Sequence, residues 1–159
     1  MAVDQQAEQF VDLCSRGNLE SLEAMEAEFV ELCYRGDLEG VGAALQSGAD
    51  VNSKRSGQTG LMTALKMKHI ALTSLLLEQE GIDVNIVARG GETALHEAAR
   101  HNKTSECLTI LLARPDLITG VNQKDWAGQT PLSLAVTRNA MMCVQLLLRD
   151  GRTDPNIKD

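Results

Sequence analysis

Apolar residues recur along most of this chain at the three- to four-residue spacing that is typical of amphipathic helices. A short stretch rich in Leu and Ala is followed by a polar turn and then by a second stretch that ends in consecutive leucines. These leucines are Leu75–Leu77, Leu111–Leu112 and Leu146–Leu148. In the clearest unit, Leu108, Leu111 and Leu112 fall on one side of the second stretch. The pattern predicts pairs of short helices with their leucines buried.

The helix pairs lie within an internal repeat. Segments that read GADVN, GIDVN, TGVN and TDPN end in asparagines that recur every 33 to 37 residues, at Asn52, Asn85, Asn122 and Asn156. Three further segments, GQTGL, GETAL and GQTPL, begin at Gly57, Gly91 and Gly128 in the same register. A fixed period of this length indicates a solenoid, in which each unit buries its apolar face against its neighbours.

The best unit, GETALHEAARHNKTSECLTILL, resembles the ankyrin-repeat pattern GxTPLHxAAxxGHxxxVxxLL. The resemblance covers roughly residues 28–159 and implies an all-α ankyrin-repeat solenoid of helix–turn–helix pairs joined by hairpin loops. It divides the chain into about four repeats, 28–56, 57–90, 91–127 and 128–159, which form one continuous domain. Residues 1–27 are expected to form an N-terminal helical cap.

The family pattern also assigns roles to single residues. Thr93 is expected to cap the first helix of its repeat, and its hydroxyl is expected to pair with His96. Asn102, Asn139 and Gly36 fall where the first helix must end in a left-handed residue, which Gly and Asn tolerate. The second repeat has Lys68 at that position, so we expect its hairpin to be less stable and more mobile.

The two ends of the chain depart from a simple array. Gln9–Leu22 matches Glu28–Val41 at an offset of 19 residues, which leaves no room for a hairpin between the copies. Helical spacing continues across the junction, so we predict one continuous helix over Leu19–Tyr34. At the other end no polar capping helix follows, so the apolar flank of the last helix pair should be exposed. The chain is then either a fragment of a longer array or one of two chains that share this face.

Composition restricts the cellular compartments and the classes of partner that are expected for this protein. The net charge of −7 argues against non-specific binding to nucleic acid or to an anionic membrane. No apolar run is long enough to span a bilayer, and the N-terminus lacks the pattern of a secretory signal. The four cysteines, Cys14, Cys33, Cys107 and Cys143, lie among apolar helical neighbours and are expected to be buried and reduced. This indicates a protein of the cytoplasm or nucleus.

Nothing in the sequence predicts catalysis. It contains no Gly-rich phosphate loop, no nucleophile elbow and no paired metal ligands, so we expect a protein that is not an enzyme and needs no cofactor or metal. His96 is assigned a structural role by the repeat pattern, and the carboxylates are expected to be helix caps and solvated surface.

The resemblance implies a scaffold that binds protein partners on the concave face, which is made of hairpin tips and the exposed positions of the first helices. The residues at those positions form the predicted binding set: Tyr34, Arg35, Arg55, Lys66, Met67, Arg89, Glu92, Arg100, His101, Trp126, Gln129 and Arg138. The set is rich in cations and contains both the only Trp and the only Tyr of an acidic chain. It therefore predicts an acidic peptide or protein loop as the partner.

Three alternatives remain open from the residues alone. The cations could suit helix C-termini without binding anything, and Trp126 could lie flat on the neighbouring hairpin. The same face could hold the phosphate of a nucleotide or oligonucleotide, with Arg89, Lys66 and Trp126 as contacts. The chain could also be a regulatory arm of a larger protein, or could associate end to end as a dimer through its last repeat.

Overall fold

The computed structural model describes residue 12 and residues 19–117 and 120–157, and the described part is a stack of helix pairs. Eight α-helices have described bounds: α1 Leu19–Arg35, α2 Leu38–Gln46, α3 Gly60–Met67, α4 Ile70–Leu77, α5 Ala94–Ala99, α6 Ser105–Ala113, α7 Pro131–Thr137 and α8 Met141–Arg149. Two strands, β1 Lys54–Arg55 and β2 Gln58–Thr59, pair antiparallel in the first hairpin. The expected all-α solenoid is confirmed.

Helix α1 confirms the prediction of one continuous helix across the junction between the two sequence copies. It ends at Arg35, one residue beyond the predicted Tyr34. Most of the first copy lies outside the described residues, so the boundary of the N-terminal cap at residue 27 stays a prediction. Phe29 and Cys33 of α1 lie against Gly60, where a Cβ atom would be 2.8 Å from the Cys33 Sγ. The absence of a side chain at Gly60 allows this close approach.

The core runs through the stack. The first helices α1, α3, α5 and α7 pack in that order, and the second helices α4, α6 and α8 pack behind them. Leu65, Leu95 and Leu108 are fully buried, and so are Ala98 and Ala99, whose small side chains allow neighbouring helices to approach. Truncating one of these leucines to alanine would cost about 2–5 kcal/mol. No helix among the described residues is long and apolar enough to cross a membrane.

Threonine is the N-cap residue of three of the first helices, α3, α5 and α7. Thr59 Oγ1 accepts a hydrogen bond from the Met62 amide at 3.2 Å, and Thr130 forms a reciprocal capping box with Ser133. At Thr93 the amide donates to His96 Nδ1 at 3.2 Å, and the hydroxyl lies 3.0 Å from the same nitrogen. The predicted pairing of Thr93 with His96 is confirmed.

His96 also joins two repeats. Its Nε2 lies 3.1 Å from the carbonyl oxygen of Gln129 in the following repeat. A carbonyl can only accept, so Nε2 carries the proton and Nδ1 is the acceptor for Thr93. Burial lowers the pKa of His96, and the hydrogen bond to Gln129 opposes this shift. A neutral ring therefore serves both contacts.

The first helices end in two different ways. At Gly36, Lys68 and Asn139 the backbone is left-handed, with φ of 73°, 64° and 54°. At each of these ends the amide of the left-handed residue and the amide of the residue after it donate hydrogen bonds to carbonyls of the last helical turn. At Lys68 these bonds run from Lys68 to Leu65 and from His69 to Ala64. The left-handed end predicted for Gly36 and Asn139 is confirmed.

The left-handed end predicted for Asn102 is wrong. Helix α5 stops at Ala99, and Asn102–Thr104 form a 3-10 turn in which Asn102 is not left-handed. The single proton of the Thr104 hydroxyl is shared between the carbonyls of Ala98 at 2.7 Å and His101 at 2.6 Å, so the Ala98 carbonyl has a donor without a left-handed turn. Asn102 has another role, because its Oδ1 accepts from the Met142 amide at 2.9 Å at the start of α8.

The hairpin asparagines link each repeat to the next. The Asn52 side chain donates to the Gly81 carbonyl at 2.8 Å and accepts from the Asp83 amide at 2.8 Å. Asn122 makes the equivalent pair with Arg152 and Asp154. The Arg152 guanidinium adds hydrogen bonds to the carbonyls of Leu112 at 2.6 Å and Leu117 at 3.1 Å. These bonds hold the loops in one register along the stack.

The last helix pair has an exposed apolar flank, as predicted. Val136 is 61% exposed, whereas Leu65 and Ala99 at the equivalent positions of the preceding repeats are fully buried. Leu148 is 53% exposed, whereas its equivalent Leu77 is 5% exposed. Val136 and Leu148 are here called the terminal face.

Candidate functional site

The predicted binding set divides into hairpin tips and first-helix positions. Arg55, Arg89 and Trp126 occupy equivalent tip positions in three successive hairpins. A Cβ atom on Gly57 would lie 2.9 Å from Cβ of Arg89, and one on Gly91 would lie 2.9 Å from Cδ1 of Trp126. Arg89 and Trp126 each therefore contact a glycine of the preceding hairpin. Both glycines are left-handed, with φ of 83° and 78°.

Trp126 is held by its backbone while its side chain faces solvent. Its amide donates to the Gly90 carbonyl at 2.9 Å. In the same hairpin the Asp125 carboxylate accepts from the amides of Ala127 at 2.9 Å and Gln129 at 2.8 Å. The Trp126 side chain is nevertheless 80% exposed, the largest exposure among the large apolar residues of the described chain. The tip thus presents a large apolar ring on a hydrogen-bonded hairpin.

Some predicted cations already have partners. Glu31 of α1 accepts from Arg35 at 3.1 Å and also pairs with Arg55. Burial raises the pKa of Glu31, but the two guanidinium groups outweigh it and leave this pKa below its usual value. Arg35 and Arg55 are therefore partly neutralised, and the first repeat is less basic than the sequence suggested.

Arg100 is likewise engaged. It forms ion pairs with Glu92 and with Glu97, the latter through Nε at 3.2 Å. The Glu97 side chain is 2% exposed, and burial raises its pKa while Arg100 lowers it. Arg100 and Glu92 thus form a charge network with a buried carboxylate, which leaves little positive charge at this position.

Other members of the predicted set remain available for contact. Tyr34 and Met67 are exposed, and His101 and Gln129 are half-buried. Lys66, Arg89 and Arg138 are exposed, and no ion pair joins them to any carboxylate of the described residues. We use the name groove face for the hairpin tips and exposed first-helix positions that these available residues share: Tyr34, Lys66, Met67, Arg89, His101, Trp126, Gln129 and Arg138.

Sequence reasoning did not include three residues that shape this surface. Glu31 and Glu97 pair with predicted cations, and nothing in the repeat pattern marks them. Lys68 adds an exposed cation at the end of α3. Burial lowers the pKa of His101, and the charge of Lys68 lowers it further. The signal for Lys68 was its unusual place at a left-handed position.

Among the described residues, no group of three or more His, Cys, Asp or Glu side chains is placed to hold a metal ion.

Comparison with known proteins agrees with the repeat geometry. A family model of ankyrin repeats in three copies matches residues 29–119 and 91–159. Neurogenic locus notch homolog protein 1 of Mus musculus is 41% identical over 70 residues, which are 44% of this chain and 3% of that protein. Oxysterol-binding protein-related protein 1 of Homo sapiens is 47% identical over 68 residues, 43% of this chain and 7% of that protein.

A third relative matches a longer segment. The SMC5-SMC6 complex localization factor protein 1 of Bos taurus is 34% identical over 95 residues, which are 60% of this chain and 9% of that protein. The matched regions therefore span less than a tenth of the length of each of these relatives.

Proposed function

The chain belongs to the ankyrin-repeat family, and we propose that its groove face binds an extended, acidic segment of a partner protein. Ankyrin repeats are in general non-catalytic modules for protein–protein interaction. What is specific to this chain is the chemistry of the surface, so the proposal rests on the side chains and not on the fold.

The observation that carries the proposal is the exposed ring of Trp126. Trp is enriched among the residues that dominate binding energy at interfaces, because its large apolar area is desolvated at little conformational cost. Trp126 sits on a hairpin held by the Asp125 carboxylate and by the Gly90 carbonyl, so the backbone beneath the ring is already ordered. We expect removal of this ring to cost about 2 kcal/mol or more of binding free energy.

The available charges favour an acidic partner. Arg89 precedes Trp126 along the line of hairpin tips, and Lys66 and Arg138 lie on first-helix positions of the same face. None of the three pairs with a carboxylate of the described residues, so a partner carboxylate would meet a cation that is not already neutralised. Arg89 offers a bidentate fork for such a carboxylate.

A random peptide library displayed on phage tests the proposal. We expect selection on the purified chain to enrich peptides that combine carboxylates with one large apolar residue. Trp126 is the only tryptophan, so its fluorescence should change on binding and report contact at this site alone. Selection of basic peptides, or acidic peptides that leave the fluorescence unchanged, would contradict the proposal.

Matched variants locate the site. Trp126→Ala and Arg89→Ala should each weaken the selected peptides. Ile110→Ala and Arg149→Ala remove exposed residues of the same kinds from α6 and α8, outside the groove face, and should bind as the parent does. Equal losses in both pairs would show that the peptides bind elsewhere.

Self-association through the terminal face is a second candidate. Val136 and Leu148 are exposed where the equivalent residues of earlier repeats are buried, which leaves apolar area that a second copy could cover. Light scattering after size exclusion, over a wide concentration range, should then show a dimer that Val136→Asp converts to a monomer. A monomer at every concentration would exclude this candidate.

A further inference from the structure

Three consecutive first helices end beside one another on the groove face. Helix α5 packs between α3 and α7, so their C-terminal ends lie side by side. Lys68 follows α3, His101 follows the shortened α5, and Arg138 follows α7. We call Lys68, His101 and Arg138 the helix-end cluster.

The cluster brings positive charge together without a carboxylate partner. Lys68 and Arg138 are exposed and join no ion pair of the described residues, and the His101 ring makes no hydrogen bond there. Burial lowers the pKa of His101, and the charges of Lys68, Arg100 and Arg138 lower it further. Of these cations only Arg100 is neutralised, by Glu92 and Glu97.

The cations of the cluster make no capping hydrogen bonds to the helix ends. The last carbonyls of α3 and α7 accept from backbone amides, namely those of Lys68, His69, Asn139 and Ala140. At α5, the Ala98 carbonyl accepts from the Thr104 hydroxyl. The side chains of Lys68 and Arg138 take no part in these bonds. Lys68 also holds a left-handed backbone that lysine adopts only at a cost, where glycine would be relaxed.

We propose that the helix-end cluster binds the phosphate of a phosphorylated serine or threonine in the partner segment. The inference rests on the proposed function, which it sharpens from an acidic to a phosphorylated partner. A phosphate monoester carries a charge of about −1.5 to −2 at neutral pH and has three acceptor oxygens, so it matches several donors at once. A single carboxylate would neutralise one cation and leave the others unpaired.

Binding of the phosphate dianion should also change the protonation of His101. In the free protein burial and the neighbouring cations both disfavour the charged form of His101, whereas a bound phosphate favours that charged, donating form. His101 should therefore take up a proton when phosphate binds. The titration midpoint of His101 should rise with phosphate concentration to a saturating value.

Proton magnetic resonance of the three histidine rings measures this effect, with inorganic phosphate as the probe. Chloride is exchanged for phosphate at constant ionic strength. His69 and His96 serve as internal controls, because each ring bonds to a backbone carbonyl, those of Tyr34 and Gln129. An equal midpoint for His101 in phosphate and chloride, or an equal shift of His69, would overturn the inference.

Variants separate recognition from folding. Lys68→Gly and Arg138→Gln should each weaken phosphate binding roughly fivefold. Lys68→Gly also relieves the left-handed backbone, so its loss of binding cannot be ascribed to unfolding. An unchanged His101 response in both variants would refute the cluster as the site.

Model peptides identify the source of the phosphate. A peptide with one phosphoserine flanked by alanines should shift His101 at lower concentration than the same peptide with glutamate. Adenosine monophosphate that binds more tightly than the phosphopeptide would overturn the assignment to a phosphorylated partner. Trp126→Ala should leave the response to inorganic phosphate intact. If the library selection fails while phosphate still shifts His101, only the acidic-segment proposal is refuted. If the selection succeeds while phosphate does not shift His101, only the phosphate site is refuted.

Discussion

Replacing Lys68 by glycine should stabilise the protein, although it removes a side chain from the end of a helix. Lys68 has φ of 64° and ψ of 33°, in the left-handed region. For a residue with a Cβ this conformation costs about 1–2 kcal/mol. Glycine adopts this conformation freely, but it loses more conformational entropy on folding. That loss offsets about 0.5–1 kcal/mol of the gain. The net gain in the free energy of unfolding should be about 0.5–1 kcal/mol.

The matched control lies two residues earlier. Lys66 is also exposed, but it lies inside α3 with helical backbone. Lys66→Gly should therefore destabilise the protein by about 0.5–1 kcal/mol, because glycine lowers helix stability. The same chemical change thus has opposite signs at two neighbouring positions.

Equilibrium unfolding in urea, followed by far-ultraviolet circular dichroism, measures both variants. The gain for Lys68→Gly corresponds to a rise in melting temperature of about 1–4 °C for a chain of this size. A loss of stability in Lys68→Gly comparable to that in Lys66→Gly would refute the reasoning. It would show that the Lys68 side chain contributes more than its backbone conformation costs.

Three further predictions concern contacts between repeats. Asn102→Gly should lower the free energy of unfolding in urea by about 1 kcal/mol, because Asn102 is not left-handed and its side chain accepts from the Met142 amide at the start of α8. A gain in stability would instead support a left-handed Asn102. The pKa of His96 is lower in the folded than in the unfolded state, so stability should fall as pH drops below the unfolded value of about 6.5. His96→Gln should flatten this dependence in unfolding experiments between about pH 7 and pH 5, and an unchanged slope would contradict it. Arg152→Ala should cost about 1–2 kcal/mol of unfolding free energy, because the Leu112 and Leu117 carbonyls lose their guanidinium donor. Arg149→Ala should change stability by less than about 0.5 kcal/mol, and equal effects of the two variants in calorimetry would contradict a stabilising role for the Arg152 hydrogen bonds.

The repeat architecture was predictable because its signals are local. The Gly-x-Thr starts, the paired leucines and the hairpin asparagines recur in one register, and each acts within a few residues of its place in the chain. For this reason the helix pairs, the pairing of Thr93 with His96 and the left-handed residues at Gly36 and Asn139 followed from sequence. Asn102 was mispredicted because its helix end depends on a hydroxyl two residues further on, at Thr104, which the repeat pattern does not include.

The binding surface was only partly predictable. The sequence by itself determined which residues occupy hairpin tips and first-helix positions, because the repeat register places them there. Only the tertiary structure decided which cations among them are already neutralised. Arg55 meets Glu31 across 24 positions of chain, and His101 lies near Lys68 and Arg138, which come from different repeats. Charge pairing of this kind depends on distances through space, which stacking of the repeats creates and a linear pattern does not contain.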